Sequence, residues 1–223
     1  MEPRDVLPDD GVVREQIDYY DRRANEYDAT SAPEGDALAR QGLRLERALR
    51  DFCPEGRVLE MACGTGTWTQ RLIRYADDMT ALDSSAEMIR LARTKIGDAG
   101  VRFITADVFS WRPDQTYDVV FFANWLSHVP ETRFETFWSL VSRCLNAGGR
   151  VFFVDESRDA WRKEEFLEDN LVLRRLGDGS AHRVIKIFWD PSELQARLRA
   201  MKWDSRVEST GDFIWGECKR LVE

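Results

Sequence analysis

Val58-Leu59-Glu60-Met61-Ala62-Cys63-Gly64-Thr65-Gly66-Thr67 joins a short apolar run to the start of a helical pattern. RVLEM (57–61) reads as a strand and TWTQRLIRYA (67–76) as a helix, so Gly64 and Gly66 fall in a strand-to-helix turn. Glycine there lets the backbone turn sharply and approach a ligand, because a Cβ would block the approach and disfavour positive φ. Thr65 and Thr67 add hydroxyls and a helix cap. A GxG alone is equally a tight turn, and two acids change its weight. Glu60 closes the strand, where a charge is costly to bury unless it binds something. Asp83 ends the next strand about twenty residues beyond the glycines, where a carboxylate can take both hydroxyls of a ribose. The third glycine of the dinucleotide fingerprint is replaced by Thr69. A nucleoside carrying an amino acid group suits the turn better than a pyrophosphate.

Outward from this turn, β-branched runs alternate with helical ones. Strands are expected at MTALD (79–83), VRFIT (101–105), YDVVFFA (117–123) and RVFFVD (150–155), with helices at 85–96 and 131–145. Such alternation is the signature of a parallel sheet covered by helices on both faces. Two helices precede it, over 13–28 and about 35–52, the first with Val13, Ile17, Tyr20, Ala24 and Tyr27 along one face. After it, LVLRRL (171–176) and RVIKIFW (183–189) flank GDGS as a β-hairpin, and a helix at 191–201 leads to two closing strands. The expected organisation of 1–223 is one domain. It comprises an N-terminal helical part (1–54), a ligand-binding core (55–155), an insertion (156–190) and a closing helix with strands (191–223).

The chain of 223 residues carries a formal charge of −8, which repels a phosphate backbone and argues against nucleic acid as a partner. That balance suits a neutral or amine ligand better than a polyanion. No stretch approaches the roughly 18 apolar residues of a membrane span. Cys53, Cys63, Cys144 and Cys218 lack paired CxxC spacing, so free thiols in a reducing cytoplasm are expected rather than a zinc site or disulfide frame.

E-x-A-C-G-T-G (60–66), then LDSS-x-x-M (82–88) and TAD (105–107), resembles the class I S-adenosylmethionine-dependent methyltransferases of small molecules. The resemblance covers roughly residues 16–155. It implies an α/β three-layer sandwich with a mostly parallel, seven-stranded, Rossmann-like sheet, N-terminal lid helices and a hairpin insertion after the fifth strand. It implies S-adenosyl-L-methionine as cofactor and S-adenosyl-L-homocysteine as product. Glu60, Ala62, Cys63, Gly64 and Gly66 would hold the methionine part, and Asp83 the ribose. Ser84, Met88, Asp107 and Val108 would border the adenine, with Asn124 and Trp125 near the sulfonium. Ala62 departs from the commoner glycine and Glu60 from the frequent aspartate.

The run Tyr20-x-x-Arg23-Ala24-x-x-Tyr27-Asp28 resembles the lid helix of such enzymes, so Tyr20, Arg23 and Tyr27 are cofactor candidates, Tyr20 also for positioning. The same residues read equally as an aromatic stripe packed on the core. His128, just past the fourth strand, is a candidate base, since only its type is poised to move a proton near pH 7. It reads as well as a cap or a hydrogen-bonding residue. Tyr19, Asp155, Glu156, Lys186 and Trp189 are candidates for binding the acceptor, and His182 reads as a surface or pocket-wall residue. No aspartate-asparagine pair completes an acidic cluster, so no metal is expected. The expected activity is in-line methyl transfer to an oxygen, nitrogen or carbon of a small molecule by a monomer or homodimer. The lack of an asparagine-proline-proline-aromatic motif leans it to O- or alkylamine N-methylation. Three alternatives stand beside it: a cofactor-binding partner without catalysis, a protein acceptor, and a nicotinamide oxidoreductase with a degenerate turn.

Overall fold

Two helices, α1 (Asp10–Ser31) and α2 (Asp36–Phe52), lead into β1 (Gly56–Met61), α3 (Thr69–Leu72), β2 (Ala76–Asp83), α4 (Ala86–Ile96), β3 (Arg102–Thr105) and β4 (Tyr117–Ala123). Then come α5 (Phe134–Cys144), β5 (Leu145–Glu156), β6 (Phe166–Glu168), β7 (Leu171–Arg175), β8 (Ala181–Ile185), α6 (Pro191–Ala200), β9 (Trp203–Ser209) and β10 (Phe213–Arg220). This computed structural model describes residues 9–31, 35–97, 99–168 and 170–221. The main sheet has seven strands in the order β3-β2-β1-β4-β5-β10-β9. Its first five are parallel, and β10 is antiparallel to both β5 and β9. A second sheet, β6-β7-β8, is antiparallel.

Because side chains alternate across a strand, one face of the main sheet presents Leu59, Met61, Val120, Phe122 and Phe153 to α5, where Trp138 and Phe137 are fully buried. The other face presents Val58, Val119, Phe121 and Phe152 to Leu45, Leu49 and Phe52 of α2. Strand order reverses between β1 and β4, and open α/β sheets bind ligands beyond the strand ends at such a switch. Three loops meet there: 62–68, 124–130 and 157–165.

The helix expected over 67–76 shrinks to the single turn of α3, because β2 starts at Ala76, where it pairs with Gly56 of β1. Pairing with a neighbour outweighs local helix pattern. The 131–145 segment divides into a 3-10 turn, Glu131–Arg133, and α5. The hairpin's second strand, expected at 183–189, occupies 181–185 instead. Beyond it the amide of Lys186 donates to the carbonyl of Asn170, and that of Ile187 to the carbonyl of Ser127. The first bond extends the hairpin register by one residue, and the second takes the chain from the hairpin to the rim at Ile187.

Gly216 on β10 pairs with Phe153, and a Cβ there would lie 2.3 Å from the Phe153 ring. That ring stacks on Phe122 with centroids 5.5 Å apart. Gly216→Ala is therefore expected to destabilise the fold by about 1–3 kcal/mol through overpacking. A urea melt measures this, and an unchanged midpoint would show that the ring yields freely.

Candidate active site

The loop after β1 turns through Ala62, Gly64 and Gly66, at φ of 54, 53 and 83°. Its glycines serve different ends. A Cβ on Gly66 would sit 3.2 Å from Cβ of Ala92, so this glycine lets α4 approach, whereas a Cβ on Gly64 would enter open space. Ala62 holds a left-handed conformation that costs a non-glycine residue roughly 1 kcal/mol, at the position where the sequence departs from the commoner glycine.

Asp83 fastens this loop to β2. Its Oδ2 accepts from the amide of Gly64 at 2.8 Å and its Oδ1 from the amide of Ser85 at 2.9 Å. Burial raises its pKa against those bonds. Glu60 is 2% exposed and accepts from the Thr69 hydroxyl at 2.5 Å. Burial, opposed by that hydroxyl and reinforced by Asp83, raises its pKa to about 8. Thr69, which breaks the dinucleotide fingerprint, is thus the partner of the acid before the glycines. Cys63 is buried and its thiol is pushed well up by burial, which leaves it a poor nucleophile.

Around this cradle, Met88 is buried and its amide donates to the Ser85 hydroxyl, which caps α4, and Ser84 is partly exposed. Oδ1 of Asp107 accepts from the amide of Phe109 at 3.1 Å, so Asp107 shapes the turn after β3, with Val108 buried beside it. Asn124, at φ 50°, donates its amide to the carbonyl of Val154 and turns the chain into Trp125. The indole Nε1 of Trp125 is buried without a hydrogen-bond partner.

Helix α1 closes over the rim. Gln16 donates from Nε2 to the carbonyl of His128 and accepts from the amide of Ile185. One turn on, the Tyr20 hydroxyl lies 2.8 Å from Nε2 of His128, whose Nδ1 lies 2.6 Å from the carbonyl of Ile185. A carbonyl only accepts, so Nδ1 carries the proton and Nε2 accepts from Tyr20. Burial, with Lys186, Arg174 and Arg23 nearby, holds the His128 pKa well below its usual value, against the pull of the Ile185 carbonyl. Burial likewise raises that of Tyr20. Arg23 stacks on Tyr27 at 4.8 Å. Asp21 accepts from the Ser85 hydroxyl at 2.6 Å, and Asp28 meets Lys95 at 2.6 Å and the Thr65 hydroxyl at 2.5 Å.

Toward the acceptor side, Lys186 is 2% exposed, with Nζ 3.0 Å from the Ser127 hydroxyl and 2.5 Å from Oε2 of Glu156. Asp155 is fully buried and spends both oxygens on the amides of Ser127 and Glu156, a turn-holding role. Arg174 pairs with Glu164. Two acceptor candidates lie elsewhere. Trp189 packs on Phe134 at 5.0 Å, under Arg197 and within the main core, so it does not line the rim. Tyr19 is buried with Val172, Leu176 and Val184, its ring 5.6 Å from that of His182, and this packs α1 onto the hairpin. Among the described residues no three His, Cys, Asp or Glu side chains form a metal cluster, and no helix is long and apolar enough to cross a membrane.

Residues 58–149 match the family model "Methyltransferase domain". A solved structure described as a DhpI-SAH complex superposes with a TM-score of 0.83 at 42% identity, covering 94% of this chain and 97% of that one. The chain belongs to the class I S-adenosylmethionine-dependent methyltransferases. A DhpI-SAM-HEP complex agrees at TM-score 0.84 and 40% identity, over 94% of this chain and 98% of that one. The ubiquinone biosynthesis O-methyltransferase of Xanthomonas axonopodis pv. citri (strain 306) is 26% identical over 82% of this methyltransferase and 78% of its own length. The enzyme uses S-adenosylmethionine and transfers its methyl group to a small molecule.

The residues present fit that cofactor. The space at Gly64, the two acids and the unpartnered indole N–H of Trp125 offer shape, acceptors and a donor. Sequence reasoning missed Gln16, Thr69, Lys95, Ser127 and Arg174. For Lys95 and Gln16 helical spacing offered a signal, since Asp21 and Asp28 share one face of α1 and Gln16 and Tyr20 another.

Glu60 sets a pH dependence. A cationic amino group placed beside it favours the carboxylate, so cofactor binding releases a proton. Affinity for S-adenosylmethionine is expected to climb from pH 6 toward about 8 and to fall again above it, where the cofactor's own α-amino group loses its proton. The folded acid also binds its proton more tightly than the unfolded one, so cofactor-free stability should fall as pH rises from about 4.5 to about 8. Calorimetry and melts across that range test both trends, and both should flatten in Glu60→Gln.

Proposed function

We propose that this methyltransferase acts on an oxygen that arrives already ionised, the carboxylate or phosphate-like oxyanion of a small acid. The chain from Ile185 through His128 to Tyr20 carries this reading. His128 has no free lone pair and sits among three cations, so it is ill suited to take a proton. An oxyanion needs none removed. The same cations, Lys186 and Arg174 foremost, supply the charge to hold it. The name of the Xanthomonas relative, an O-methyltransferase, supports oxygen.

S-adenosylmethionine supplies a methyl on a sulfonium, and the acceptor lone pair forms the O–CH3 bond as the S–CH3 pair returns to sulfur. Glu60 and the 62–66 turn would hold its amino acid end, Asp83 its ribose, and Ser84, Met88, Asp107 and Val108 its adenine. Trp125 and Asn124 would border the sulfonium. Tyr20, Arg23 and Tyr27 on α1 would close over it and exclude water, with His128 anchoring Tyr20 as a positioning residue. Lys186, Ser127 and Glu156 would meet the acceptor. The buried unpaired thiols of Cys63, Cys144 and Cys218 suit the cytoplasm.

Turnover of a carboxylate at saturating cofactor is expected to be flat from pH 6 to 9, measured by transfer of radiolabelled methyl. A rate rising steadily through pH 7 would require a base and overturn the reading. Lys186→Gln should raise KM for the acid at least about ten-fold with little change in kcat. His128→Ala should weaken cofactor binding about 5–30-fold, because Tyr20 loses its anchor, and leave the pH profile unchanged.

A further inference from the structure

The hairpin side of the rim holds a cavity of about 690 Å³ that ends on Lys186. Its apolar walls are Trp161, Phe166, Leu167 and Phe188, and Arg158, Glu168 and Asn170 complete its polar edge. Trp161 and Phe166 have ring centroids 5.8 Å apart, and Phe166 and Phe188 6.3 Å apart. Nζ of Lys186 lies 5.3 Å from the Phe188 ring centre and reaches the Ser127 hydroxyl, one residue before His128. One side chain therefore borders both the aromatic cavity and the reacting rim.

Trp161 is 54% and Leu167 46% exposed, against a chain in which most large apolar side chains are buried. Neither is needed to close the core. The volume falls within the range of small-molecule pockets and far exceeds what a lone oxyanion requires. We infer that this cavity is a second subsite that seats a flat apolar body, aryl or arylalkyl, carried by the acceptor acid. Lys186 is the hinge between the two parts: its ammonium, beside the Ser127 hydroxyl and over the edge of the aromatic wall at Phe188, faces the oxyanion on one side and the ring on the other. The acceptor class is then an arylalkyl acid, with specificity set by the 158–168 segment rather than by the sheet.

This inference rests on the proposed function for the oxyanion but not for the ring. The test is calorimetric titration of the full chain saturated with S-adenosylhomocysteine. 3-Phenylpropionate should bind at least about ten-fold tighter than propionate, from burial of the ring. Trp161→Ala and Phe166→Ala should each erase most of that difference while leaving propionate and S-adenosylhomocysteine affinities unchanged, and Trp161→Phe should restore it. Because Trp161 is exposed, its replacement leaves the core intact. An equal affinity for the two acids, or a preference that survives Trp161→Ala, overturns the subsite. Neutral 3-phenylpropanol separates the two claims: binding that depends on Trp161 supports the subsite even where both acids fail, a result that would sink only the oxyanion reading.

Discussion

One imidazole joins three distant parts of the chain. His128 follows β4, donates its Nδ1–H to the carbonyl of Ile185 at the end of β8, and accepts at Nε2 a hydrogen bond from the hydroxyl of Tyr20 on α1. Gln16 repeats the connection one helical turn earlier. Without these bonds α1 would keep its acidic face pinned by Ser85, Thr65 and Lys95 and its Tyr19 packed on the hairpin, but Tyr20 would lose its hydrogen bond over the rim. The cofactor cradle and the acceptor side are closed by the same helix, and His128 is where the two meet. A buried histidine with both nitrogens occupied has traded reactivity for position.

The sequence carried the sheet and the cradle plainly, because both are local. Two-residue alternation marks the strands, and the glycine turn with Asp83 needs only the end of the next strand beside it. Where local pattern competed with pairing, it lost. The apolar spacing in 67–76 favours helix, yet β2 starts within it, at Ala76, because Gly56 needs a partner there. Ile187, Phe188 and Trp189 look alike as an apolar run, but the chain leaves the hairpin after Lys186, so Phe188 faces the cavity while Trp189 enters the core.

The state of His128 was not legible, for a physical reason. Its type suits a base, and the features that favour a positioning role instead are the carbonyl of Ile185 and three cations from other elements. None of these is near it in sequence. Ala62 illustrates the opposite case: a departure visible in the sequence sits at a backbone angle where glycine is favoured, so the reading and the strain coincide.

Whole-chain charge and local charge point to different acceptors. A formal charge of −8 suits a neutral or amine acceptor, whereas the oxyanion proposed above draws on local charge: fields from exposed carboxylates are screened within about 10 Å in salt while those at a desolvated rim are not. Lys186 is almost wholly buried and Arg174 is half-buried, so their fields act at the rim with little screening. Glu156 and Glu164 pair with them in the absence of a ligand. The proposed oxyanion would enter by competing with protein carboxylates, so its affinity would depend on how well its body is held as much as on its charge. A ring seated against the wall of Trp161, Phe166 and Phe188 would supply that hold, and the aromatic wall and the cations would then be two halves of one recognition device.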